Sequence, residues 1–280
     1  MKVYELNNSP QAMTLTGERT YGISGHPIAT DFRGDSKIDD WEPIKLETLY
    51  KNTYIDFPHY IIGKPIVSEK VKQILEPYIE SEVEILPLIH DEMDLYMLNV
   101  TNMLDCVDWK RSEVEWFKDK YFMGFIKLKF DLSKIPNDTY LFKIKETAKT
   151  TVYVTEAFKE LVEQHQLKGL NFSLVEDSEF TEEMELEQQR RYESALLDIE
   201  RNKGPEFTYE EAEARVDQNK AVASGKWKMQ LDDKGRFWLG TLTLELEYNW
   251  VRPKYIPPIL LGYQWHEVEK SEINLKSHEE

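Results

Sequence analysis

Six histidines, one cysteine and a scatter of carboxylates are the residues of this sequence from which catalysis could be built. The histidines are His26, His59, His90, His165, His266 and His278. None stands at the helical spacing of a paired-imidazole zinc site. His90 with Asp91, Glu92 and Asp94 comes nearest to a metal cluster, and reads as a solvated acidic turn before a strand. Gly22-Ile23-Ser24-Gly25 lacks the third glycine and the preceding strand of a dinucleotide loop. Gly63-Lys64-Pro65 puts proline where a phosphate-cradling helix would have to begin. No Gly-x-Ser-x-Gly elbow occurs. Cys106 lies in an apolar stretch and reads as a small core residue. Acid pairs are too frequent here to point to glycosidase-type chemistry. The expectation is therefore no catalytic residue, no metal and no cofactor.

Composition narrows the partners. The chain has 280 residues with 35 Lys+Arg against 52 Asp+Glu, a formal net charge of −17. Such a field repels phosphate backbones and anionic lipid surfaces, so neither nucleic acid nor membrane is an expected partner. It suits a basic partner, or simply solubility. A single cysteine permits no internal disulfide and suits a reducing compartment. The N-terminus has no apolar core of signal-peptide length, and the longest apolar stretches, such as Pro257–Gly262, are far short of a membrane span. A soluble, cytoplasmic protein is expected.

The elements that would position any site divide into three segments. Residues 1–57 read as an irregular lead-in, with Met1–Leu6 alternating as a short strand and Tyr21, Phe32, Trp41, Leu46, Tyr50 and Phe57 as apolar anchors. Residues 58–177 read as an α+β core. There Ser68 caps a helix with Val71, Ile74, Leu75 and Tyr78 on one face, followed by a strand at Val83–Leu88. Thr155 caps a second helix, with Phe158, Leu161 and Val162 on its face, followed by a strand at Leu170–Val175. Aligning Ser68 with Thr155 aligns Ile85 with Phe172 without a gap, which suggests a repeat offset by 87 residues; any capped amphipathic helix between strands would look similar. Between the two lie strand-like stretches at Leu95–Val100, Met103–Val107, Ser112–Phe117, Gly124–Leu132 and Leu141–Lys145.

Residues 178–280 differ in character. From Glu176 to Lys220 there are 15 acidic and 6 basic residues, a net of −9. Helices are expected over about 179–202 and 209–223, the second opened by a capping box of Thr208 and Glu211. A β-hairpin follows around Asp232-Asp233-Lys234-Gly235, its second strand continuing through Leu242, Leu244 and Leu246. The fold class is thus α+β: a mixed or antiparallel sheet with two repeated strand–helix–strand units, plus a C-terminal helix pair and β-hairpin.

With no chemistry evident, surface becomes the candidate function. Trp227, Trp238 and Trp250 with Glu210, Glu211 and Asp217 form the expected partner-binding set, since exposed tryptophan anchors interfaces and complementary charge speeds encounter. The same tryptophans would serve equally as core, and the same acids as a solvated face.

Several stretches between Pro65 and Phe172 resemble a bacterial family of immunity proteins of polymorphic toxin systems. They stand here as PIVSEKVKQILE (65–76), VEILPL (83–88), YMLNVTNMLDCVD (96–108), Ser112-Glu113, FDLSKIPNDTYLFKIKE (130–146) and VYVTEAFKELVEQHQLKGLNF (152–172). The resemblance implies a non-catalytic protein that neutralises a cognate toxin by occlusion. Many such toxins act on nucleic acids and are basic, which a charge of −17 would suit. Two other classes stay open: a structural or assembly protein, which would self-associate, and a carboxylate-based enzyme, which would need a pocket of buried acids or a bound metal.

Overall fold

The computed structural model describes residues 1–17, 27–118 and 120–273. Gly22–Gly25, Tyr21, His26 and most of the C-terminal tail with His278 lie outside the described residues. The chain divides into two compact units, Met1–Glu179 and Phe180–Glu280.

In the first unit the strands are β1 (Lys2–Asn8), β2 (Ala12–Gly17), β3 (Leu46–Tyr50), β4 (Tyr54–His59), β5 (Ile66–Ser68), β6 (Val83–Leu88), β7 (Leu95–Val100), β8 (Glu113–Phe117), β9 (Tyr121–Lys127), β10 (Leu141–Phe142), β11 (Tyr153–Thr155) and β12 (Leu170–Asp177). The helices α1 (Glu69–Ile79) and α2 (Glu156–Gln164) follow β5 and β11. The sheet orders are β10-β11-β1-β12, β5-β7-β6, β3-β2-β4 and β8-β9. All neighbours are antiparallel except β2 and β4. The α+β class is as expected, with several small sheets in place of one.

The two similar sequence units fold alike. Strands β5 and β6 both run antiparallel to β7, so they are parallel to each other and need the crossover that α1 supplies. Strands β11 and β12 flank β1 in the same way, with α2 as crossover. The registers also correspond. Ser68 and Ile85 sit opposite Leu95 and Leu98; Thr155 and Phe172 sit opposite Val3 and Leu6. The middle strand comes from after the helix in one copy and from the N-terminus in the other. One core serves both, holding Val71, Leu75, Ile79, Phe158, Leu161 and Val162 together.

Helix capping differs between the copies. The Ser68 hydroxyl accepts from the Val71 N–H at 3.5 Å. Thr155 occupies the cap position but its hydroxyl donates to the Thr139 carbonyl at 2.7 Å, tying the helix start to the segment before β10. Tyr78, expected on the buried face of α1, is exposed; Ile79 takes that place and Ile74 is half-buried.

The first 57 residues are less irregular than the turn-rich sequence suggests, since they carry β1, β2, β3 and the start of β4. Their pairing is long-range: β1 joins strands more than 140 residues away, which no local pattern can reveal. Pro58 is tolerated because β4 lies at a sheet edge. Phe32, Leu46 and Phe57 are buried as expected, whereas Tyr50 is exposed. Conversely, 103–107 makes only isolated bridges at Met103 and Val107.

Lys64 and Lys143 are buried against backbone carbonyls in this unit. The Lys143 ammonium donates to the Phe32 and Gly63 carbonyls at 2.8 and 3.0 Å, and Lys64 to those of Ile28 and Thr30. Burial, with Lys64 nearby, pulls the Lys143 ammonium down from 10.5 to about 8. The unfolded chain therefore holds this proton up to pH 10.5 while the folded chain releases it near 8. The burden is complete below pH 8 and is relieved as pH rises above it. Between pH 7 and 9 the wild type should gain about 1 kcal/mol relative to Lys143→Met, measured by denaturant unfolding. A pH-independent difference would place this proton release elsewhere.

In the second unit α3 (Glu182–Arg201) and α4 (Tyr209–Asp217) precede β13 (Ala221–Ser224), β14 (Trp227–Leu231), β15 (Phe237–Leu242) and β16 (Tyr248–Val251); α5 (Pro258–Leu261) and β17 (His266–Val268) close it. The sheet order is β16-β15-β14-β13-β17, all antiparallel. The expected hairpin is β14–β15, the centre of a larger sheet. Its second strand stops at Leu242, and Leu246 turns the chain at φ +63° with Leu244 and Leu246 exposed. The capping box at Thr208 and Glu211 is present, but α4 ends at Asp217, and the predicted continuation to 223 is a turn followed by the start of β13. Gly240 lies under the Trp250 indole, where a Cβ would stand 2.7 Å from a ring carbon. Gly240→Ala should cost about 1–3 kcal/mol by overpacking, seen as a lower denaturation midpoint. Among the described residues, no helix is long and apolar enough to cross a membrane.

Candidate interaction hairpin

Cys106 and the His90 cluster have defined surroundings. The Cys106 thiol is buried, and burial raises it to about 12, away from the reactive thiolate. His90 hydrogen-bonds Thr48 Oγ1 at 3.1 Å, while Asp91 and Glu92 pair with Lys45 and Lys51. Among the described residues no three His, Cys, Asp or Glu side chains are grouped to hold a metal.

The expected partner-binding set is divided by burial. Trp238 and Trp250 are 2% and 7% exposed, so their rings serve packing. The Trp238 indole N–H donates to Asp232, which also accepts from the Arg236 backbone and side chain. Trp227 is half-buried and lines a shallow cleft of about 430 Å³ with Glu200, Glu206, Tyr263 and His266. Glu210, Glu211 and Asp217 are exposed on α4, with Glu211 also accepting from the Thr208 N–H in the capping box.

The half-exposed tryptophans lie elsewhere. Trp109 and Trp116 are 50% and 51% exposed; Trp116 belongs to β8, and Trp109 precedes that strand with its ring against Phe125 of β9. The stretches of β8 and β9 read in sequence as ordinary half-buried strands. In the structure they form a two-stranded sheet, with no third strand among the described residues. An isolated two-stranded ribbon is marginal on its own in water, and its order comes from its root.

Both faces of the ribbon carry apolar side chains. Register places Val114 and Trp116 opposite Phe125 and Phe122. The rings run Trp109–Phe125–Phe122–Trp116 with centroids 5.8, 5.1 and 6.1 Å apart. The pair Phe117 and Tyr121 lies on the other face, Met123 and Ile126 stand unpaired at the two register shifts, and all four are exposed, Ile126 by 69%. A ribbon that served only to cover a core would bury one face. Contiguous exposed apolar surface of this kind marks an interaction site.

The root is built by buried polar contacts. The Ser112 hydroxyl accepts from the Lys129 N–H at 2.9 Å and donates to its carbonyl, clasping the open end. Glu176 on β12, 3% exposed, receives Arg111 at 3.2 Å, the Phe130 N–H at 3.0 Å and the Lys129 ammonium at 3.6 Å. Phe125 and Leu128 pack against the cluster of Val3, Cys106, Phe130 and Tyr153. The turn passes through Lys118, at φ +52°. Sequence reading missed this site because its alternation signals a strand without saying what covers either face.

Residues 42–177 match the model of the immunity protein family (Imm11), enclosing the segment whose resemblance the sequence had shown. The matched span contains the ribbon and its root. No curated protein matches the chain.

Proposed function

We propose, with the immunity-family match over residues 42–177 as premise, that this protein neutralises a cognate bacterial toxin by binding it, without catalysis, in the cytoplasm of the producing cell. The β8–β9 ribbon is the contact element. The single observation that carries this reading is the exposure of large apolar side chains on both faces of that ribbon. Anchors of Trp, Tyr, Phe and Met contribute most where a partner desolvates them fully. Binding energy of this kind needs a stable scaffold and one complementary surface.

Trp227 with exposed Glu210, Glu211 and Asp217 remains a second contact surface on the other unit, suited to a basic patch. Charge reversal of the three acids should flatten the salt dependence of binding if they contribute.

The test is co-expression with the reading frame immediately upstream in the source genome, scored for rescue of growth and co-purification. Rescue with a stable complex supports the reading. A harmless neighbour, or a toxic one neither rescued nor bound, overturns it. Self-assembly of the isolated protein into large particles would favour the structural class instead.

A further inference from the structure

We infer that the β8–β9 ribbon is gripped by an apolar protein cleft with an acidic rim; this rests on the binding role proposed above. Charge and shape both select this partner. The whole chain is strongly acidic, yet Trp109–Lys129 holds six basic and three acidic residues. Arg111 and Lys129 are engaged at the root by Glu176, and Glu113 lies opposite Lys127 across the strand pair. Lys110, Lys118 and Lys120 are exposed and form no ion pair among the described residues. The ribbon is therefore a positive projection on a negative protein. A basic cleft, such as a nuclease uses to hold phosphates, would repel its tip. An acidic rim would attract Lys118 and Lys120 and steer the ribbon in.

Shape selects protein over lipid. Apolar side chains occupy both faces, so a flat surface covers only half of them. Insertion tip-first into a bilayer would drag Lys118 and Lys120 into hydrocarbon, which is costly. A cleft can cover both faces while leaving the tip lysines against carboxylates or water. The net charge of −17 then concerns surfaces other than the ribbon, and a basic toxin is not required by it.

The experiment uses the full chain and the toxic product of the upstream reading frame, with association followed by surface-immobilised kinetics at 50 and 300 mM salt. Three chains are compared: wild type, Trp116→Ala, and Lys118→Glu/Lys120→Glu. All substitutions are at exposed positions, and thermal melting checks that each variant is folded. The expected result is at least tenfold slower association for the charge-reversed chain at low salt, with most of the salt dependence gone, and at least tenfold weaker affinity for Trp116→Ala. Weaker affinity for Trp116→Ala with unchanged or faster association of the charge-reversed chain overturns the acidic rim and leaves the ribbon as contact element. A complex unaffected by either variant overturns the ribbon itself. Co-sedimentation of wild type, but not Trp116→Ala, with vesicles of equal phosphatidylcholine and phosphatidylglycerol overturns the protein cleft in favour of lipid.

Discussion

Replacing Trp116, Met123 and Ile126 together by serine should abolish protection from the toxin while leaving the protein folded. These side chains are 51%, 62% and 69% exposed, so little of their surface is buried by folding and the melting temperature should move by only a few degrees. Their value lies in a complex. Burying such a side chain fully is worth roughly 1.5–3 kcal/mol relative to leaving it exposed. With three anchors truncated, binding should weaken by at least a thousandfold, at 1.4 kcal/mol per factor of ten. The free variant should also be more soluble at high concentration, because the exposed patch is smaller. Growth rescue, calorimetric affinity and the melting curve measure the three effects. Retained rescue by a folded triple variant would remove the ribbon from the interface.

A second large effect is expected at the root. Glu176→Ala should destabilise the first unit by about 3 kcal/mol, the lower end of the range for removing one member of a buried ion pair. The cause is not the lost attraction alone. The Phe130 N–H would remain buried with its acceptor gone, and the Lys129 ammonium, on a residue 8% exposed, would lose its ion pair with Glu176. For a unit of this size that loss corresponds to a fall of about 10 °C in melting temperature. Glu176→Gln should lose less, since an amide oxygen can still accept from Phe130. Hydrogen exchange should show β8 and β9 losing protection before β1 and β12 do, as the ribbon depends on this root and has no third strand among the described residues. Equal loss of protection in all four strands would mean that the ribbon and the sheet unfold as one.

These two expectations draw on different parts of the argument, and the sequence prepared them unequally. The root was partly legible: Ser112-Glu113 stands out in the family resemblance, and Ser112 proves to be the residue that clasps the ribbon's open end. Glu176 was not, because a glutamate at the end of a strand is exposed in most proteins, and only the approach of Arg111 and Lys129 from 47 to 65 residues away makes it internal. The acids and tryptophans singled out by composition fared differently from each other. Glu210, Glu211 and Asp217 are on the surface, as short carboxylates on a thinly apolar helix should be. Trp238, on β15 inside the sheet, and Trp250, on the edge strand β16, are both buried, and Gly240 supplies the space under Trp250.

What the sequence determined by itself is local and periodic. Apolar spacing set the buried faces of α1 and α2, and β6 runs over the same residues, Val83–Leu88, that its pattern marks. The 87-residue offset foretold that Ser68 and Thr155, and Ile85 and Phe172, occupy matching registers. Each of these depends on contacts within a turn or a strand, where side-chain period and burial are tied together by backbone geometry. The tertiary structure alone decided which strand fills each sheet: β7 enters one repeat from after the helix, β1 the other from the far end of the chain. It also decided which aromatic residues are left uncovered. An alternating stretch reads alike whether its apolar face meets a core or water, because alternation records the direction in which a side chain points and not what lies there. In β8 and β9 Val114, Phe122 and Phe125 are half-buried, while Trp116, Phe117, Tyr121, Met123 and Ile126 are left exposed.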